Sequence, residues 1–261
     1  MVLILNERKY AEDLYLGNNT DVKSAVAMVG YVTRYQLYVL SYDDDDNYKH
    51  TVQWMYQHYG NFDESYYSNL IVDAIKLAHR KPFYDVGKIC ITRSELDIIS
   101  SLDNLRAEKI LFVLLCMAKQ QAVSYGFTGG LVKYSITSLC KMARISVPAE
   151  DREYILHDIV QTGALGYPKK NNTQCLIVSF IDNGDAVLEL DDTDCQELAY
   201  VYLSWKNNGK GYTRCSRCRK LMRQSKTKPK KYCEDCAKIT QTEQKRLWAE
   251  KSRKNLTRQN D

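Results

Sequence analysis

A chain of 261 residues with 44% apolar residues, 12 Gly and 4 Pro has the composition of a folded protein with room for more than one core, which excludes intrinsic disorder as its ground state. The formal net charge of +5 hides two opposed halves: residues 206–261 hold 18 of the 37 Lys and Arg but 5 of the 32 Asp and Glu, a surplus of +13 that leaves −8 for residues 1–205. The longest apolar run, Ile110 to Ala118, has nine residues and the one after Met1 has four, too short for a membrane helix or a secretory signal, so a cytoplasmic protein with no membrane contact is expected.

Residues 7–80 read as helical. Val22, Ala25, Val26, Val29, Val32 and Val39 recur near the helical period, with Asp21 placed to favour a helix start, and further stretches run over Lys49–His58 and Tyr66–His79. Asp43, Asp45 and Asn47 match the first ligand positions of a calcium loop, but Tyr48 stands where Gly is needed and Trp54 where the bidentate Glu would be, so a solvated acidic loop is expected. Tyr31, Tyr35, Tyr38 and Tyr42 follow helical spacing and read as a packing face in preference to a stacking platform for bases.

Past Lys81-Pro82 the pattern changes. Ile89–Ile91 reads as a short strand and Thr92 with Glu95 as a capping box. A core helix over 105–123, a short segment Val132–Tyr134 after Gly129-Gly130, and helices over 137–144 and 149–162 follow. Next come a polar turn Lys169-Lys170-Asn171-Asn172, an alternating strand Cys175–Ile181 and a strand Val187–Leu190. Helix, short strand, helix, helix, hairpin is the order of a winged helix-turn-helix with its wing at 164–181. Asp191–Asp194 can cap one more helix that carries Cys195, Leu198, Ala199 and Tyr202 on one face, and Asn207–Gly211 reads as a turn or linker.

Nine cysteines divide into two sets. Cys90, Cys116, Cys140, Cys175 and Cys195 are scattered among apolar neighbours and read as buried free thiols in a reducing compartment. Cys215/Cys218 and Cys233/Cys236 are two C-x2-C pairs fourteen residues apart, the pattern of a structural zinc site in which two knuckles are joined by a hairpin. The second pair opens a stretch of strong helix formers, AKITQTEQKRLWAEKSRKN, so a treble-clef-like finger or a ribbon is expected, with the helix N-terminus holding its thiolates ionised. Four thiolate ligands close the coordination shell and leave one Zn²⁺ no catalytic position.

The basic residues around this pattern form a loop set (Arg214, Arg217, Arg219, Lys220, Arg223, Lys226, Lys228, Lys230, Lys231) and a helix set (Lys238, Lys245, Arg246, Lys251, Arg253, Lys254, Arg258). A zinc centre with four thiolates carries a formal −2, which accounts for little of the surplus; the excess suits contacts to phosphates, with DNA favoured over RNA. In the winged-helix-like region Glu150, Asp151, Glu153 and Asp158 outnumber Arg152 on the would-be recognition helix, so Lys169 and Lys170 at the wing tip are its better candidates for contact. His50, His58, His79 and His157 show no metal spacing, and no phosphate-loop, dinucleotide or nucleophile-elbow pattern occurs, so a non-enzymatic protein is expected.

The segments ITRSELDIISSLDNLRAEKILFVLLCMAK (91–119), SLCKMARISVPAEDREYILHDIVQTGAL (138–165), VSFID (178–182), YTRCSRC (212–218) and KYCEDCAK (231–238) are together similar to a family of uncharacterised proteins common in phages and mobile elements of Gram-positive bacteria. The resemblance covers roughly 80–240 and implies a winged-helix protein with a C-terminal zinc finger. The sequence therefore predicts a mainly helical α+β protein with a helical N-terminal region (1–85), a winged-helix-like domain (86–205) and a basic four-cysteine finger with a C-terminal helix (206–261). The expected function is nucleic-acid binding in phage transcription or replication control, with a host protein or a second copy as further partners. The alternative is a host-protein-binding or anti-defence protein that acts through its acidic helical body.

Overall fold

In a computed structural model of the chain, residues 3–18, 22, 24–169, 174–225 and 227–257 are described, with side chains described up to residue 251. The protein is mainly helical α+β and divides into two units: Ile4–Lys88 with Val123–Gly126, and Met1–Leu3 with Ile89–Ala122 and Phe127–Asp261.

The helical period of the first eighty residues resolves into α1 (Glu7–Tyr15), α2 (Ala25–Tyr38), α3 (Asp44–His58) and α4 (Glu64–Ala78). Helix α2 packs against the other three, and Leu14, Val29, Val32, Trp54, Met55, Ile71 and Ile75 form their shared core, each contributing on the order of 1.5–3 kcal/mol by its removal from water. Among them Asn47 donates to the Thr33 carbonyl (2.9 Å) and Thr51 to Gln36 Oε1 (2.7 Å), so the buried polar side chains of α3 are paired with α2. A buried ion pair, Arg34 with Glu7 at 2.7 Å, ties α2 to α1, and the guanidinium lies near the faces of Tyr31 and Phe83. Tyr35 is buried, while the half-exposed Tyr38 donates to the Ala78 carbonyl.

The acidic run is a helix start. Asp43 is the N-cap of α3, its carboxylate accepting from the Asp46 amide at 2.8 Å, and Asp44, Asp45 and Asp46 fill the first turn, where the helix dipole favours negative charge. The expected loop is thus replaced by the first turn of α3. The proposed start at Asp21 lies outside the described residues.

In the second unit Ile89–Thr92 forms β1 and runs into α5 (Arg93–Ser100) through the expected capping box. Helix α6 (Leu105–Tyr125) is the axis of the unit: every side chain from Ile110 to Ala118 is buried, because this helix is apolar all round and is covered on every side. Then come β2 (Leu131–Lys133), α7 (Ile136–Met142), α8 (Asp151–Gln161), β3 (Leu165–Gly166) and β4 (Cys175–Val178). The sheet order is β2-β4-β3, antiparallel throughout, with Val132 opposite Leu176 and Leu165 opposite Val178. Gly130, at φ +74°, lets the chain close against β4, since a Cβ there would lie 2.1 Å from the Val178 carbonyl oxygen. Strand β4 ends earlier than its alternation suggests, at Val178, where the Ser179 hydroxyl turns back to the Gly163 and Ala164 carbonyls.

Strand β5 (Ala186–Leu190) pairs antiparallel with β1, so residues almost a hundred positions apart form a separate two-stranded sheet. Cys90 corrects the expectation of a buried thiol: it is exposed, on the face of β1 opposite Ile89 and Ile91, whereas Cys116, Cys140, Cys175 and Cys195 are buried. One polar network holds β1, α5, α6 and the segment after β4 together. The fully buried Glu95 accepts from Lys119 (2.8 Å), the Asp182 amide (2.9 Å) and the Thr92 amide (2.9 Å), while Lys119 also donates to the carbonyls of Cys90 and Asp182. A turn at Asp194–Gln196 leads into α9 (Leu198–Lys206), whose Tyr202 and Lys206 both hold the buried Glu108 of α6. As expected, Cys195, Leu198, Ala199 and Tyr202 are buried together on this segment.

Candidate metal centre

The last elements are β6 (Tyr212–Arg214), β7 (Leu221–Arg223) and α10 (Glu234–Thr257). Strands β6 and β7 form an antiparallel hairpin, Thr213 opposite Met222, and Cys215 and Cys218 lie in its turn. The hairpin therefore flanks the first cysteine pair and does not lie between the two pairs as the spacing suggests. The turn is tight: the Arg219 amide donates to the Cys215 carbonyl and the Cys215 amide to that of Lys220, and Arg219 takes a left-handed backbone at φ +64°. Cys233 immediately precedes α10 and Cys236 lies in its first turn. A backbone bond from Ser216 to Lys231 brings the two knuckles together, and Gln224 clamps the intervening loop by accepting from the Lys230 amide and donating to its carbonyl.

The four sulfurs lie within 4.8 Å of one another, and Cys218 Sγ is 3.6 Å from Cys233 Sγ. Zn–S bonds of about 2.3 Å at tetrahedral angles place sulfurs about 3.8 Å apart, so this donor set is compatible with a four-coordinate metal after a small contraction. Cys215, Cys233 and Cys236 are buried with Met222 and the partly buried Tyr232, whereas Cys218 is more exposed. Burial alone would raise the Cys215 thiol, but the backbone N–H groups of Cys218, Cys233 and Arg217 face it and bring it down to about 6. Burial and three neighbouring thiols push Cys236 up. The thiol that is brought down thus lies in the hairpin turn, while Cys236 in the first turn of α10 is held up.

The basic residues separate into two kinds. Arg214 lies 2.8 Å from the buried Asp194 carboxylate, an ion pair without hydrogen-bond geometry, and Arg217 grips Glu243 of α10 with two bonds of 2.8 and 2.9 Å. Lys220 faces Asp235 at 4.0 Å and Arg246 faces Glu250 at 3.4 Å. These four tie the module together or to the body. Arg219, Arg223, Lys228, Lys230, Lys231, Lys238, Lys245 and Lys251 are exposed and form no ion pair among the described residues. Lys169 is exposed beside the hairpin of β3 and β4. Lys170, Asn171, Asn172, Lys226 and Arg258 lie outside the described residues, as do the side chains of Arg253 and Lys254.

No family model, curated protein or solved structure matches this chain. Sequence reasoning missed Asp194 and Glu243, which anchor the module's arginines, and Arg144, whose guanidinium pairs with Glu197 (2.8 and 2.9 Å), lies 4.3 Å from the Tyr200 ring centroid and lines a cleft shared with the module. Nothing local in the sequence marks these partners, because each lies 20 or more residues away from its pair in the chain. No helix of the described residues is long and apolar enough to cross a membrane.

Proposed function

We propose that Cys215, Cys218, Cys233 and Cys236 hold one structural Zn²⁺, and that the chain is a nucleic-acid-binding protein of phage or mobile-element type that acts in transcription or replication control. The observation that carries this reading is the pairing of a compact four-thiol cluster with a surround of exposed cations that have no carboxylate partner among the described residues. Internal ion pairs consume Arg214, Arg217, Lys220 and Arg246. What is left over is a surface that a polyanion would neutralise, with affinity from counterion release and little sequence preference. The metal supplies no chemistry; it fixes the hairpin turn and the start of α10 so that these cations are displayed on a rigid frame.

The order α6, β2, α7, α8, β3, β4 with its β2-β4-β3 sheet supports the winged-helix reading of the central region. Helix α8 does not suit a major groove, because Asp151 and Glu153 are exposed in its first turn and Glu150 precedes them.

The test measures zinc content of the purified chain and its binding to labelled duplex DNA, single-stranded DNA and RNA at two salt concentrations. One zinc per chain and affinity that falls steeply with salt, and falls about tenfold or more when Lys228, Lys230 and Lys231 are all changed to Ala, are the expected results. Salt-insensitive binding, or none to any of the three, would overturn the nucleic-acid reading while leaving the zinc site to stand on its stoichiometry.

A further inference from the structure

Arg144 occupies a position that normally belongs to glycine. At the end of α7 its amide bonds to the Lys141 carbonyl and that of Ile145 to the Cys140 carbonyl, the double closure of a helix C-terminus whose turning residue is left-handed, here at φ +49°. A side chain in that conformation is disfavoured, so an arginine there invites a reason beyond the turn itself. Its guanidinium projects into a cleft of about 150 Å³ whose other wall is the four-cysteine module, with Lys220, Arg223 and Lys230 among the lining residues. Two of its three nitrogens are bound to Glu197; Nη1 has no partner among the described residues.

The cationic row continues along the body. Lys109 of α6 donates to the Arg144 carbonyl at 3.1 Å and has no carboxylate partner, and Arg106 lies one turn earlier on the same helix, exposed and likewise unpaired among the described residues. Burial, then Arg106 and Arg144, hold the Lys109 ammonium below its ordinary pKa, as expected where like charges gather without a compensating anion. Three carboxylates line the cleft: Glu197 has both oxygens taken by Arg144, Asp235 faces Lys220, and Glu234 remains.

We propose that Arg106, Lys109 and Arg144 on the body and Arg223 and Lys230 on the module form one surface for the phosphate backbone of a nucleic acid. This rests on the nucleic-acid reading above and extends it: the body holds the polyanion as well as the basic tail does, and the cleft fixes where the backbone crosses from one to the other. The sequence conceals the surface, since Arg144 and the module's side of the cleft are separated by residues 145–219, which hold 11 Asp and Glu against 8 Lys and Arg.

The test titrates full-length protein against a fluorescein-labelled 20-base-pair duplex over a salt series, comparing the unaltered chain with R106A/K109M and with K228A/K231A, a pair outside the cleft. Zinc content and thermal melting check that each variant is folded, and Arg106→Gln alone serves if the double variant is not. A five- to thirtyfold loss for R106A/K109M, and a slope of log affinity against log salt shallower by about two, are expected for two lost phosphate contacts. Wild-type affinity and slope in R106A/K109M, with a loss in K228A/K231A, would overturn the shared surface and leave the module as the sole anchor. An unaltered chain that binds no duplex, single strand or RNA, or that retains only an acidic polypeptide such as polyglutamate, would overturn both readings.

Discussion

The four thiols of the module are equivalent in the sequence and unequal in the fold. Cys215 is buried and faced by three backbone amides, while Cys218 is more exposed, so loss of different cysteines tests different things. Cys233 is buried between the hairpin turn and α10, with its amide pointed at Cys215 Sγ at 3.3 Å. Cys233→Ser should abolish tight metal binding and release zinc to a colorimetric chelator from about one per chain to near zero; retention of one tightly held zinc would show that the cluster is not the ligand set. At the other end of the energetic range is Arg217→Ala. It removes an exposed ion pair with Glu243, and solvent screening leaves pairs of this kind with little effect on stability even when bidentate, so the thermal midpoint should hardly move. The buried Glu95 differs again, because its carboxylate holds Lys119 and two backbone amides and has no water to fall back on.

Among the elements, α6 and α10 are opposites. Leu114 of α6 is fully buried, and Leu114→Ala should cost about 2–5 kcal/mol in chemical denaturation, from lost transfer free energy and the cavity left behind. Leu247 of α10 is 54% exposed and Trp248 73% exposed, so Leu247→Ala should change stability by less than about 0.5 kcal/mol. A loss of similar size at both positions would mean that α10 is packed in solution. The apolar run of α6 and the Thr92–Glu95 capping box were plain in the sequence because both signals are local: a helix that is apolar all round must be covered, and a box needs only four residues. The acidic run of Asp43–Asp46 was misread because four carboxylates look like solvated loop until the start of the helix shows them to be its N-cap and first turn.

At the scale of the molecule, the four-cysteine module clusters with the central body, and Ile4–Lys88 forms its unit without any of the four clustered cysteines. Removal of metal with a chelator should therefore lower or remove a calorimetric transition of the second unit and leave that of the N-terminal unit at its original temperature. A uniform downward shift of every transition would contradict this division. Because structural zinc sites in small modules contribute on the order of 10–16 kcal/mol of binding free energy, the effect of chelation should be large wherever it falls.

The sequence by itself determined the mainly helical α+β class, most of the helices, the buried axis at Ile110–Ala118 and the four cysteines that converge, since periodicity, capping and C-x2-C spacing act over a few residues. Only the tertiary structure decided that Cys90 faces outward, that β5 returns to β1, and that Glu95, Lys119 and Asp182 share one network. It alone sorted the module's cations into those bound internally and those left exposed, and brought Arg144 to the module's wall. The reason is physical: charge compensation and burial depend on distance in space, and a linear chain records which charges are present but not which of them meet.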